Sequence, residues 1–368
     1  MKDKGTKILI IVLVIVIILA GGVFAYKIIK DKNIDTSDVS EPQKDNLLVA
    51  KVKNKKIKTF AGEDRPIAVM IDNHKDAWPQ AGLEKAYMVY EIIAEGGETR
   101  LMALYKGQDV KEIGPVRSAR PYFIDYAMEN DAIYAHFGQS PQAEYDLKHL
   151  YINDINGIAE DGVTFKRTNK KAAPHNAMTS TEKLLKSAKN KNYRMKSDKK
   201  SVLNYSADEI KLENGESAVS VTIPHSKLQT VKYEYDKETK MYKRYARKKE
   251  QKDMETGKTI ETKNIIIAMC DNYTLNDAEN KGRQGLKNIG TFDGYYITNG
   301  KTIKIKCVKD KREEQTKYLD LEGNEIKVND GNTWVHICPK DAKILIEPEE
   351  VVENEWSFLG QVKKGSLK

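Results

Sequence analysis

The chain has 368 residues, 40% of them hydrophobic and 32% charged, with a net charge of +8 and three cysteines. That length accommodates an anchor and two domains. Three cysteines without close spacing exclude a disulfide framework, and the lack of a basic stripe interleaved with aromatics excludes nucleic-acid binding.

Residues Ile8 to Phe24 form an uncharged apolar run that reaches 19 residues with Ala25 and Tyr26, enough to span a bilayer as one helix. Lys2, Lys4 and Lys7 precede it and Lys27, Lys30 and Lys32 follow it, so flanking charge does not orient it. Gly21-Gly22-Val23-Phe24 is a poor cleavage site. The expectation is a retained signal-anchor over 1–30, in the cell membrane as a single pass with its domains extracytoplasmic. Residues 31–60 are polar and lysine-rich and read as a tether. Beyond residue 32 the chain keeps only a mild positive excess, suited to a solvated lysine-rich exterior or an anionic surface.

The expected fold class is α+β: a mixed α/β domain over 61–190, then a β-rich domain over 200–350, after a single transmembrane helix. In the first domain Pro66 to Ile71 is an apolar strand. Tyr87 to Glu95 and Thr99 to Tyr105 make a hairpin around Gly96-Gly97. Arg120-Pro121 opens a helix towards Glu129, Ala132 to Phe137 is a strand, and Ser140-Pro141 opens a second helix with Ser140 as its cap. Thr179 to Glu182 reads as a capping box for a third. In the second domain Val219 to Ile223, Val231 to Tyr235, Asn264 to Cys270, Thr302 to Val308 and Trp334 to Cys338 read as strands between turn signals such as Asn299-Gly300. Cys270, Cys307 and Cys338 lie in these runs and are expected as buried small hydrophobes.

Polar residues beside glycines and prolines mark the candidate site. Glu91 and Glu95, four apart in a strand, are expected on one face, where one of the pair would be protonated as a general acid for glycan cleavage. A lytic transglycosylase needs only one such carboxyl. The competing reading makes both glutamates ion-pair partners of Arg100, Arg117 and Arg120. Arg117 and Arg120, at a helix start, suit an anionic ligand. The alternative for Arg120 is burial against Asp125 or Glu91. Asp72, Asn73, Arg100, His136, His175 and Asn176 complete the candidate binding set. A metal site from the two histidines would take Asp72 as third ligand, but no spacing is diagnostic, and neither metal nor cofactor is expected.

Ile71-Asp72-Asn73, Tyr90 to Arg100, Gly114 to Pro121, His136 to Pro141 and Pro174-His175-Asn176 together resemble the N-terminal domain of the YerB-type lipoproteins. Asn299-Gly300-Lys301, Tyr318 to Asn324 and Gly331 to Val335 resemble that family's C-terminal domain, so the resemblance spans roughly 62–345. It implies a two-domain protein of the cell envelope, in the context of wall-synthesis proteins and sporulation, with no assigned chemistry. Family members are lipid-anchored, whereas no cysteine precedes Cys270 here, so the apolar helix is expected to replace the lipid. The resulting expectation is an envelope protein acting on or binding peptidoglycan, with Glu91 or Glu95 as acid/base if it cleaves. The alternative is a non-catalytic adaptor for a wall polymer or a peptidoglycan synthase of the penicillin-binding-protein kind.

Overall fold

A computed structural model of the protein describes residues 56–348 except Ala61. The expected signal-anchor and nearly all of the expected tether lie outside the described residues. Among the described residues no helix is long and apolar enough to cross a membrane.

The first half contributes five strands to the large sheet and three helices, β1 (Ile67–Asp72), β2 (Met88–Ile93), β3 (Thr99–Tyr105), α1 (Pro121–Glu129), β4 (Ile133–His136), α2 (Pro141–His149), β5 (Asp154–Asn156) and α3 (Thr181–Asn190), besides a short pair of Lys166–Arg167 with Ala177–Met178. Pro121 and Pro141 each occupy the first helical turn, where a missing N–H costs nothing. Ser140 caps α2 by accepting from the Ala143 N–H at 3.2 Å. The cap of α3 is Ser180, which accepts from the Lys183 N–H at 3.2 Å, one residue beyond the expected Thr179. Thr179 is instead paired through its backbone to Ile113.

The second half contributes β6 (Ser220–Pro224), β7 (Thr230–Asp236), β8 (Met241–Ala246), β9 (Asn264–Cys270), β10 (Gly290–Thr298), β11 (Lys301–Lys309), β12 (Lys317–Leu319), β13 (Thr333–Pro339) and β14 (Leu345–Glu347). No α-helix occurs in it among the described residues. The architecture is α+β, mostly β.

The two halves share one sheet, in the order β12-β11-β10-β9-β13-β2-β3-β1-β4-β5, with Glu216–Ser217 alongside β11. The seam is β13, which lies parallel to β9 on one side and to β2 on the other. A second sheet carries β8-β7-β6-β14.

Alternation sets the layers. Val69 and Ile71 of β1, Ala103 of β3 and Ile265 and Ile267 of β9 face α3 and the second sheet, meeting Leu184, Val221, Tyr233 and Tyr242. The intervening Met70, Leu104 and Ile266 face the other way, against Phe123, Ile124 and Ala127 of α1 and Ala143 of α2. The three cysteines are free and buried, as expected. Burial pushes the Cys270 thiol up to about 12, so it stays protonated as a small hydrophobe.

Candidate active-site surface at the carboxyl ends of β1 and β4

Strands β1, β4 and β5 run parallel, so their carboxyl ends open at one edge. Segment 114–119 crosses that edge. Arg117 N–H donates to Met70 O at 2.9 Å, Phe137 N–H to Arg117 O at 3.0 Å, and Ala119 N–H to Gly138 O at 2.9 Å. Gly114 makes the entry possible: its φ is +140°, and a Cβ there would stand 2.8 Å from Ala177 O. Helices α1 and α2 both begin at this edge, a place where open α/β sheets bind ligands.

Asp72, at the end of β1 and 3% exposed, is the hub. Its Oδ1 accepts from the His74 N–H at 3.0 Å, and its Oδ2 lies 2.7 Å from His175 Nδ1 and 3.4 Å from Arg117 Nε. His175 arrives on a loop closed by Thr168 N–H donating to Asn176 O at 2.8 Å. The Asn176 side chain ties the same loop, donating to Thr168 O and accepting from Arg167. Asn176 therefore shapes the loop. The His175 ring stacks on His74, centroids 4.5 Å apart and planes at 12°. Asp76 lies beside His74, its Oδ2 3.4 Å from His74 Nδ1.

Asn73 is fully buried beneath this surface. Its Oδ1 accepts from Trp78 Nε1 and Gln80 Nε2, and its Nδ2 donates to Thr99 Oγ1 at 2.8 Å. It links the edge to an interior network around Glu91.

Glu91 and Arg244 of β8 form an ion pair, Nη2 to Oε2 2.8 Å, with neither side chain exposed. Thr99 Oγ1 also donates to Glu91 at 2.7 Å. Arg244 donates to Gln251 at 2.6 Å and to Tyr233 Oη at 3.0 Å, and its guanidinium lies 4.1 Å from the Trp334 ring. Since Tyr233 accepts from Arg244, its own O–H is free to donate to His336 Nε2 at 2.9 Å; His336 Nδ1 then donates to His225 Nε2 at 3.0 Å. Burial lowers the pKa of both imidazoles: at His225 it outweighs the opposing charge of Glu91, and at His336 the neighbouring His225 and then Arg244 add to it. Glu91, His225 and His336 stand close enough to hold an ion. Arg244 already supplies the cation there, and both ring nitrogens of His336 are taken.

Glu91 and Glu95 do not share a face, contrary to the sequence expectation. Strand β2 ends at Ile93, and a turn over Glu95–Gly97 with Gly96 at φ +64° redirects the chain. Glu91 points to the second sheet. Glu95 pairs with Arg100, Nη2 to Oε2 2.9 Å, and with Arg120 Nε at the start of α1, on the opposite side. Arg120 is thus buried against Glu95 rather than Asp125 or Glu91. Burial would raise the Glu95 carboxyl, but Arg100 and Arg120 outweigh it and hold it below the usual range. Burial, with Arg120 next to it, pushes the Arg100 guanidinium down to about 10.

His136 is fully buried at the end of β4, its Nδ1 2.8 Å from Gly138 O and its Nε2 3.1 Å from Asp154 Oδ2. Asp154, not Asp72, is its carboxylate, so the grouping of both histidines with Asp72 that a metal site of those residues would have needed is not formed.

The edge therefore gathers Asp72, Arg117 and His175, with Asn73 below and Asn176 shaping the loop. Arg100 joins them through Ser118 O at 2.7 Å, bringing Glu95 and Arg120 alongside. Glu91 and His136 lie apart, in the interior. Sequence reasoning passed over His74 and Asp76, although they follow Asp72-Asn73 directly. It also passed over Arg244, Tyr233 and His225, which alternate inconspicuously in β-rich sequence. His336 carried a signal, a histidine inside the apolar run of Trp334 to Cys338.

Two family models match the chain: the N-terminal domain of a protein of unknown function (DUF3048) over residues 54–194, and the C-terminal domain of the same family over residues 219–335. The putative lipoprotein YerB of Bacillus subtilis (strain 168) is 31% identical over 299 residues, covering 78% of this chain and 86% of the relative. The crystal structure of the YerB protein from Bacillus subtilis matches with a TM-score of 0.68 at 31% identity, covering 77% of this chain and 94% of that one.

Proposed function

The chain belongs to the DUF3048 family, whose two domains it carries in order, and on that premise we propose that it is a membrane-anchored, extracytoplasmic envelope protein that binds a wall polymer, peptidoglycan first, at the carboxyl ends of β1 and β4. Anchoring is supported by the relative named as a lipoprotein and by the apolar run Ile8 to Phe24, which would do the lipid's work here. The observation that carries the binding reading is Arg117: its guanidinium remains partly open to solvent beside the His74–His175 stack. An Arg so placed suits the carboxylates of wall peptides or the phosphates of wall polymers.

The glycan-cleaving reading has weaker support. Its two acids are Glu91, which is sealed against Arg244, and Glu95, which two arginines keep ionised. A general acid must reach its substrate and hold a proton. Incubating the purified protein with purified walls decides between the readings. We expect the protein to sediment with the wall without releasing glycan, and Arg117→Ala to weaken retention about tenfold, the value of roughly 1.4 kcal/mol. Anhydro-sugar fragments in the supernatant would restore the enzyme; failure to sediment would remove wall binding altogether.

A further inference from the structure

We propose that His74, Asp76 and His175 form a binding site for a divalent transition metal of the zinc type, with Asp72 as the outer carboxylate that orients His175. One ring nitrogen from each histidine and a carboxylate oxygen of Asp76 lie within 4.8 Å of one another. His74 Nδ1 and Asp76 Oδ2 already stand 3.4 Å apart. Neighbouring ligands around a tetrahedral ion with bonds of about 2.1 Å are separated by roughly that distance, so turning the His74 ring out of the stack, together with the Asp76 carboxylate, closes the set while His175 stays on Asp72.

The tautomer favours this use of His175. Asp72 accepts from the His74 N–H through Oδ1, and its Oδ2 lies 2.7 Å from His175 Nδ1, so that nitrogen donates to the carboxylate. The ring nitrogen left to act as a ligand is then Nε2, away from Asp72. A buried carboxylate behind a histidine whose far nitrogen is free is the arrangement that holds ligating imidazoles in place. The loop that delivers His175 is pinned by Asn176, so the ligand is presented on a fixed support. His74 supplies the second ring from the turn after β1, where its Nδ1 now accepts only a long 3.3 Å bond from the Asp76 N–H.

Two imidazoles and one carboxylate are a zinc donor set that leaves a coordination position open. Asp76 is exposed and His74 half-buried, so that position faces solvent. Arg117, 3.4 Å from Asp72, and Lys171, which donates to Trp78 O at 2.8 Å, are cations at the rim. They weaken affinity for the bare ion and favour an anionic group in the open position. The inference is independent of wall binding and stands or falls on metal alone.

The experiment is a zinc titration of the purified full-length protein after chelator treatment, read by calorimetry, with cobalt(II) absorption as a second readout. We expect one equivalent of zinc, lost by about 100-fold or more in His74→Ala and in His175→Ala, and weakened between 10- and 100-fold in Asp72→Asn. His149→Ala, whose ring stacks on exposed Tyr145 elsewhere, should bind like the parent. His74 is half-buried in a turn outside the core, so His74→Ala should melt close to the metal-free parent, and zinc should raise the melting temperature of the parent only. Stoichiometric zinc binding that survives both histidine variants, or no binding by the parent, would overturn the site.

Discussion

Glu95 is held by Arg100 and Arg120, and those two arginines repel each other unless the carboxylate lies between them. Its folded pKa is below its unfolded one. The stabilisation is therefore complete above the unfolded carboxyl value of about 4.3 and is lost as pH falls through the lower folded value. Glu95→Gln leaves two nearly buried guanidiniums facing one another, and should cost about 2–3 kcal/mol at pH 7. Urea denaturation of parent and variant across pH checks this: the gap between them should narrow below about pH 4, where the parent's carboxylate also takes up a proton. A gap that stays constant into acid would mean that charge is not what Glu95 contributes. The sequence pointed to this residue and to both of its arginines, because they lie in two polar stretches beside glycines and prolines, Tyr90 to Arg100 and Gly114 to Pro121. It could not show which carboxylate took which arginine. That choice depends on the turn at Gly96, which places Glu95 on the α1 side of the sheet.

At the scale of elements, the helix starts at Pro121 and Pro141 and the strand over Asn264–Cys270 were legible because their causes are local: a proline in the first turn, an apolar run between turn residues. The partner of Glu91 was not legible. Arg244 lies 153 residues away on a strand whose sequence, Met241–Ala246, alternates without distinguishing mark. The pair fastens β2 to β8, the large sheet to the small one, in a setting without water. Removing one charge strands the other, so Glu91→Gln should cost about 3–5 kcal/mol, while Arg244→Met added to it should recover part of the loss because no buried charge remains. Equilibrium denaturation of the single and double variants measures both. A single variant within about 1 kcal/mol of the parent would contradict this account of the pair. It follows that loss of a wall activity on Glu91→Gln would report unfolding before chemistry, which makes Arg117→Ala the cleaner probe of the surface.

The whole molecule depends on a pairing that no local pattern announces. Strand β13, near the end of the described chain, inserts in parallel between β9 of its own half and β2 of the other, with Val335 opposite Tyr90 and Ile266. Sequence reasoning placed β13 in a separate β-rich domain, since composition and turn spacing report strands but not their neighbours. Here the interface is a ladder of backbone hydrogen bonds inside a continuous sheet, with a buried Glu91–Arg244 pair behind it and a second buried pair, Glu129 of α1 with Lys309 of β11, on the other face. Separating the halves would bare the edges of β2 and β13 and leave four charges unpaired in apolar surroundings, a cost that ordinary contacts between domains do not carry. The two halves should therefore unfold together. Scanning calorimetry should give a single transition with calorimetric and van't Hoff enthalpies equal, and fragment 56–200 expressed alone should fail to show a cooperative melt. Two resolved transitions, or a fragment that melts cooperatively by itself, would mean that the shared sheet joins two independently stable units and that the ion pairs across the seam add little to either.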